Sequence, residues 1–370
     1  MRVLQVASFY APTIGGMETV LRGLAEGLAA AGEEVTVLCA SEGPRGARET
    51  LGGVEVVRSP SLGKWFSQPM TPLLAATLAR LARGADVVHL HMPNPLAELA
   101  TAAVTGRTPI VVTYHADILR QRALWPIFAP VRRAILAKCR RVIVPTEHHI
   151  RYSDVLPTVR EKCAVVPFGI PSQGYALDAD GRAEAAALRR RHGTFVLFVG
   201  RLVHYKGLAA LIEAMHDVDA PLVLVGDGPL RAEAEAAIDA FGLRHRVTLV
   251  GAVPQRTLNA YLDACAVLTL PSVSRAENFG MILLEGMLFG KPLVTTRLPS
   301  GMSAVNEDGT TGLQVEPRDP RALAEALRRL LADDGLRSAM GAAARARLDS
   351  HFSFARMIEG HRRIYREALR

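Results

Sequence analysis

Long apolar runs are missing from this chain. No stretch approaches the roughly 18 consecutive apolar residues that a bilayer-spanning helix needs, which argues against a membrane span. Cysteine is scarce too. The four, at positions 39, 139, 163 and 265, are too scattered for a metal knuckle or a disulfide framework, and a reducing cytoplasm suits them best. No G-x-G-x-x-G fingerprint is found, so a nicotinamide dehydrogenase is disfavoured. Nor does an Asp-x-Asp end a strand. Asp178-Ala179-Asp180 falls in a polar linker, Asp217-Val218-Asp219 precedes a strand and Asp333-Asp334 closes a helix, which counts against a metal-held diphosphate.

What is present is enough for two domains: 370 residues, 49% of them hydrophobic. The first residues, MRVLQVASFYAP, have a short apolar run but no cleavage site, and read as a first strand and not a secretory signal. A net charge of +8 calls for an anionic partner. Seven basic residues and no acidic one lie between Arg120 and Arg141 (Arg120, Arg122, Arg132, Arg133, Lys138, Arg140, Arg141), interleaved with Leu124, Trp125, Ile127, Phe128, Ile135 and Leu136. Two readings of this 120–141 segment stay open: contact with an anionic membrane surface, or a surface helix with a solvated basic face. No recognition motif accompanies the charge, so nucleic acid is not expected.

Valine-rich strands alternate with amphipathic helices throughout. Strands are expected over 3–7, 34–39, 54–58, 86–91, 110–115, 141–145 and 163–167, with helices over 18–31 and 69–83 stopping at Gly32 and Gly84. After Ile170 the polar run PSQGYALDADGR reads as a linker. A second series follows, with strands over 195–200, 222–226, 247–251, 266–271, 292–296 and 312–316. Its helices are expected over 209–215, 230–241, 255–264 and 320–333, with one more opening near Phe279. The fold class is α/β, two doubly wound Rossmann-like domains with a cleft between them. The expected division is 1–172, 173–352, and a tail, 353–370, that packs back towards the first domain.

The second domain is organised around SRAENFGMILLEGMLFG, residues 274–290. Ile282, Leu283 and Met287 recur at helical spacing, while Gly286 and Gly290 leave room for another backbone. Burying Glu285 without a partner would cost several kcal/mol, so it must meet a cation or accept hydrogen bonds, and sugar hydroxyls are suitable donors. Glu277 precedes the helix and can point the same way. Backbone N–H groups of Phe279, Gly280 and Met281 at the helix start favour an anion. A core helix with two structural ion pairs is the other reading of this stretch.

The loops after the other strands sharpen the choice. Gly200 to Gly207 (GRLVHYKG) brings Arg201 and Lys206 within reach of one anion, where two cations would stabilise a departing diphosphate without a metal. Gly226-Asp227-Gly228-Pro229 turns tightly, and Gly15-Gly16 can offer amides to a phosphate. His115, in Thr113-Tyr114-His115-Ala116-Asp117, ends a strand where an imidazole could bond a sugar hydroxyl. His89 and His91 share one side of another strand. No third ligand is near, so packing or substrate contact is favoured over metal.

Taken in this order, GG, HAD, GRLVHYKG, GDGP, the Glu277/Glu285 pair, GKPLVTT and TGLQVEP resemble the retaining glycosyltransferases of family 4, which have the GT-B fold, over essentially the whole length. The resemblance implies that Arg201 and Lys206 hold the donor diphosphate and Glu277 contacts donor sugar hydroxyls. It implies that Asn278, Phe279, Gly280 and Met281 line the sugar and phosphate site, and that Glu285 binds the ribose. It places His115 and Asp117 near the donor sugar, Gly15 and Gly16 near phosphate and acceptor, Gly200 in the phosphate loop, and Val253 at the base pocket. HADILRQ and residues 272–301 are most similar to bacterial mannosyl- and rhamnosyltransferases of surface polysaccharide assembly. The implied donor is GDP-mannose and the acceptor a glycan or lipid-linked hydroxyl; no metal and no cofactor are expected, and the expected place is the cytoplasm, where the 120–141 segment would suit the inner face of the membrane. A UDP-sugar donor, a nucleotide-sugar 2-epimerase and a sensor without turnover are the rivals. Acceptor-dependent release of nucleoside diphosphate would exclude the sensor, and an epimer formed from donor alone would identify the epimerase.

Overall fold

The computed structural model describes residues 1–13, 15–65, 68–103, 108–117 and 125–370. Its contacts divide the chain into two compact units, Met1–Phe168 with Phe354–Arg370, and Gly169–Ser353.

The strands of the first unit are β1 (Arg2–Val6), β2 (Glu34–Ala40), β3 (Ala47–Leu51), β4 (Val54–Ser59), β5 (Lys64–Trp65), β6 (Gln68–Pro69), β7 (Val87–Met92), β8 (Ile110–Tyr114), β9 (Arg141–Val144) and β10 (Cys163–Val165). Eight form one sheet in the order β10-β9-β8-β7-β1-β2-β4-β3, and β5 pairs with β6 in a small hairpin. Every pair in the large sheet is parallel except β3 with β4. The central strands are continuously buried, as Val87–Met92 and Ile110–Tyr114 show, because helices cover both faces. The winding reverses between β1 and β7, so the loops leaving these strands face the position where such sheets take ligands.

The second unit holds β11 (Val196–Val199), β12 (Leu222–Val225), β13 (Val247–Gly251), β14 (Val267–Leu270), β15 (Leu293–Thr296) and β16 (Gly312–Val315). All are parallel, in the order β13-β12-β11-β14-β15-β16. This is the doubly wound order 3-2-1-4-5-6, reversing between β11 and β14. The helix Met281–Leu288 follows β14, with Leu283, Leu284 and Met287 in the core. Gly286 meets the side chains of Leu268 and Leu293 and not a second backbone, while Gly290 ends the segment at φ +61°.

Several expectations need correction. The run after Ile170 is a shorter linker than its polarity suggests: Asp178 accepts a hydrogen bond from the Gly181 amide at 2.8 Å and caps a helix over Ala179–His192. The helix expected from Pro69 starts at Leu74, since Gln68–Pro69 is in the hairpin. Helices over Pro95–Ala103 and Asp334–His351, and the exposed edge strand β3, were not anticipated. The first helix opens at Gly16, with Gly15 as its cap.

The 120–141 segment also differs from its expected form. Arg120, Arg122 and Leu124 lie outside the described residues, and a helix spans Trp125–Lys138. Arg132 does not belong to a basic face. It is fully buried and grips Glu98 through two bonds of 2.7 and 3.0 Å, a counter-charge supplied by the helix Pro95–Ala103. Arg133, Lys138 and Arg140 are exposed.

The C-terminal helix, Phe354–Leu369, belongs to the first unit. Arg362 bonds Glu33, which also holds the Met1 ammonium, and the Tyr365 hydroxyl lies 2.7 Å from His89 Nδ1.

Candidate functional site

In the second unit the loops leaving β11 and β14 meet at the winding reversal. Gly207 makes the approach close: its φ is +74°, and a Cβ there would sit 2.0 Å from the Pro271 carbonyl oxygen. The Val273 amide donates to the Tyr205 carbonyl at 2.8 Å, fastening one loop to the other. Gly200 opens the first loop, beneath the end of the Lys206 side chain.

This fastening carries Lys206 to Glu277. Their Nζ and Oε2 are 2.5 Å apart, both side chains are about nine-tenths buried, and the Ser272 hydroxyl donates to the same Oε2 at 3.2 Å. Arg201, at the start of the loop, is exposed. The two cations expected to act alike therefore have different environments: Lys206 is bonded to a carboxylate and Arg201 stands at the surface. The sequence carries no signal of that pairing.

The helix Met281–Leu288 begins beside this pair. Gly280 caps it at φ +76° without a side-chain bond, and its carbonyl accepts from the Leu283 amide at 2.8 Å. Phe279 is buried, and the Asn278 side-chain nitrogen is buried without a partner.

One helical turn on, Glu285 is buried in the core-facing set. Gln255 and Tyr175 hydrogen-bond its carboxylate, yet Oε2 has no partner. Burial pushes its pKa up to about 7, against the opposing pull of those two bonds. Both supports are themselves held. Gln255 donates to Asn259 at 2.9 Å, and Asn259 donates to the Gly174 carbonyl at 2.8 Å, tying the segment before the Asp178 cap to the helix Gln255–Ala264. Tyr175 and Gln255 carry no motif, and only the fold reveals them. Val253 is half-buried in the loop after β13.

In the first unit, Gly15 is extended and Gly16 is exposed with open space about its α-carbon, in the loop leaving β1. His115, just after β8, is buried. Its ring stacks on Phe168 with centroids 5.3 Å apart, and burial pushes its pKa down to about 3. Asp117 is occupied with the protein: it accepts from the Tyr114 hydroxyl at 2.5 Å, the Ser153 hydroxyl at 3.0 Å and the Asp154 amide at 3.4 Å. It thus secures the segment that follows His115. The ring nitrogens of His89 and His91 bond Tyr365, Thr113, His115 and Gln5. Among the described residues, no three His, Cys, Asp or Glu side chains are grouped so as to hold a metal ion, and no helix is long and apolar enough to cross a membrane.

Several known proteins match this chain in sequence or fold over most of its length. Residues 183–347 match the family described as glycosyl transferases group 1, and residues 14–173 match glycosyltransferase family 4. The chain is 36% identical over 355 residues to D-rhamnosyltransferase WbpZ of Pseudomonas aeruginosa, covering 95% of this chain and 92% of that one. It is 29% identical over 371 residues to the O-antigen chain mannosyltransferase C of Escherichia coli, covering 100% and 99%. Among solved structures, Anabaena HepE in complex with UDP aligns with a TM-score of 0.81 at 19% identity, over 99% of this chain and 100% of the other. Sucrose-phosphate synthase from Thermosynechococcus elongatus aligns with a TM-score of 0.81 at 24% identity, over 99% and 98%.

Proposed function

The chain belongs to the glycosyltransferases of group 1 and family 4, with the GT-B fold of two Rossmann-like units, and we propose that it transfers mannose from GDP-mannose, with retention, to a glycan or lipid-linked hydroxyl in surface polysaccharide synthesis. The names of the rhamnosyl- and mannosyltransferase relatives support the sugar class and the process. One observation carries the reading: at the winding reversal of the second unit, a buried lysine–carboxylate pair, a helix start without a side-chain cap and an unpartnered carboxylate oxygen stand together.

In this reading Glu285 Oε2 accepts from a ribose hydroxyl, and Val253 edges the base. Glu277 and Asn278 meet sugar hydroxyls, and the amides of Phe279, Gly280 and Met281 meet sugar and phosphate. Lys206, shared with Glu277, and Arg201 take the diphosphate charge as it develops. Of the first unit, His115 takes a donor-sugar hydroxyl, and Gly15 and Gly16 offer backbone amides to phosphate and acceptor. The acceptor hydroxyl attacks C1 on the face the nucleotide leaves. The C1–phosphate oxygen bond breaks, the new C1–oxygen bond forms, and the acceptor proton passes to the departing β-phosphate oxygen. No metal takes part, so activity survives excess EDTA; a strict metal requirement would contradict this account. Exposed Arg133, Lys138 and Arg140 face the cytoplasmic leaflet, and co-flotation with anionic but not neutral vesicles tests that contact.

A thermal-shift panel of GDP-, UDP-, ADP- and dTDP-sugars tests the donor. GDP-mannose raises the melting temperature most; stabilisation by a UDP-sugar instead would overturn the choice of donor and leave the site in place.

A further inference from the structure

Gln5 on β1 is fully buried, and its side-chain oxygen lies 3.2 Å from Nε2 of His91. The other ring nitrogen of His91, Nδ1, lies 3.0 Å from Nε2 of His115. Burial lowers the pKa of both rings far below the ordinary imidazole value, so both are neutral at physiological pH. A neutral imidazole carries one N–H: one nitrogen donates and the other accepts. With its carbonyl turned to His91, Gln5 accepts, and in this orientation His91 keeps its proton on Nε2. Nδ1 of His91 is then an acceptor, and the proton between the two rings belongs to Nε2 of His115. Nδ1 of His115 is left with a lone pair.

The rings have little freedom to escape this arrangement. His91 packs on His89 with centroids 4.4 Å apart, and His89 is fixed by the Tyr365 and Thr113 hydroxyls at 2.7 Å each. His115 lies between His91 and Phe168. Gln5 is also expensive to bury, since its side-chain nitrogen has no partner. An apolar residue would pack there without that penalty, so the amide has a use other than filling the core.

We propose that Gln5 and His91 are positioning residues that hold His115 as its Nε2–H tautomer, so that His115 meets a donor-sugar hydroxyl as a hydrogen-bond acceptor. The last step rests on the proposed place of His115 beside the donor sugar; the tautomer itself does not.

Long-range nitrogen–proton spectra of the full-length protein labelled with nitrogen-15 histidine read the tautomer directly. The His115 signals are assigned by their loss in His115→Gln. The wild type shows one His115 species, protonated on Nε2. Gln5→Met keeps the side-chain length and removes the carbonyl, and Gln5→Asn withdraws it by one methylene should the first variant fail to fold. In either, His91 loses its acceptor and His115 becomes a mixture or carries its proton on Nδ1. The same variant raises the KM for GDP-mannose about ten-fold, the scale of one hydrogen bond, while GDP, which lacks the sugar, binds as before. A wild-type His115 that is mixed or protonated on Nδ1, or a tautomer indifferent to both substitutions, overturns the relay. A tautomer that shifts without any change in donor KM upholds the relay and removes His115 from the donor sugar.

Discussion

The two units share one winding pattern and bury different titratable groups near their strand ends. Each is a parallel sheet that reverses beside its first strand, between β1 and β7 in one and between β11 and β14 in the other. Around those strand ends the first unit buries imidazoles: His89, His91, His115, His149 and His361 are all held neutral by desolvation. The second buries carboxylates, one balanced by Lys206 and one, Glu285, pushed up to about 7. The topology supplies a place for ligands, and the titratable groups set there decide what kind. The contrast also gives the two units opposite responses to pH.

Acid should separate them most strongly. The five histidines have folded pKa values below the ordinary value, so below about pH 6.5 the unfolded chain binds protons that the folded unit refuses. Stability is lost as pH falls, by up to about 1.4 kcal/mol per pH unit for each histidine that stays neutral in the folded chain. Hydrogen exchange followed by mass spectrometry at pH 7.5 and 5 should show protection collapsing in residues 1–168 and 354–370 while 169–353 stays protected. Loss beginning in the second unit would break the comparison.

Lys206→Ala comes next. Losing a preorganised charge partner should lower transfer by about 10²- to 10³-fold. Leaving Glu277 buried and unpaired should also destabilise the second unit by about 3–5 kcal/mol. Turnover at fixed substrate, with circular dichroism to confirm folding, checks both. Near-wild-type turnover would refute the role.

Glu285→Gln should exchange function for stability. An acid whose folded pKa is raised loses stability as pH climbs from its ordinary value towards 7, so the amide should be more stable than wild type at pH 8, by about 3 kcal/mol. The gain should fade below pH 5, and nucleotide binding should weaken. Urea unfolding at the two pH values measures it. The smallest effect belongs to Tyr175→Phe, which removes one bond to Glu285: about 1 kcal/mol, or a donor KM raised about five-fold at unchanged kcat.

How much of this was legible in the sequence depends on whether the signal is local. The strand Val247–Gly251 and the helix Gln255–Ala264 carry their own periodicity, and sequence and structure agree on their limits. Asp178 looks like part of a linker because its capping bond reaches forward to Gly181 in a polar stretch with almost no apolar stripe. At the site, Glu277, Glu285 and Lys206 stand out as charged residues in apolar or glycine-rich surroundings. Their partners do not. Lys206 meets Glu277 only because two loops cross, and Tyr175, Gln255, Gln5 and Phe168 look ordinary until the fold brings them to a carboxylate or a histidine. Arg132 shows the same limit from the other side: charge counting puts it on a basic surface, and Glu98 draws it into the core.

Proton release on nucleotide binding tests the central claim most directly. A ribose hydroxyl donated to Glu285 Oε2 favours the ionised form and lowers its pKa from about 7. Titration calorimetry with GDP at pH 7, in buffers of different ionisation enthalpy, should therefore show about half a proton released per nucleotide bound by the wild type, and none by Glu285→Gln. Binding without proton release, or equal release from both proteins, would contradict the assignment of this carboxylate to the nucleotide.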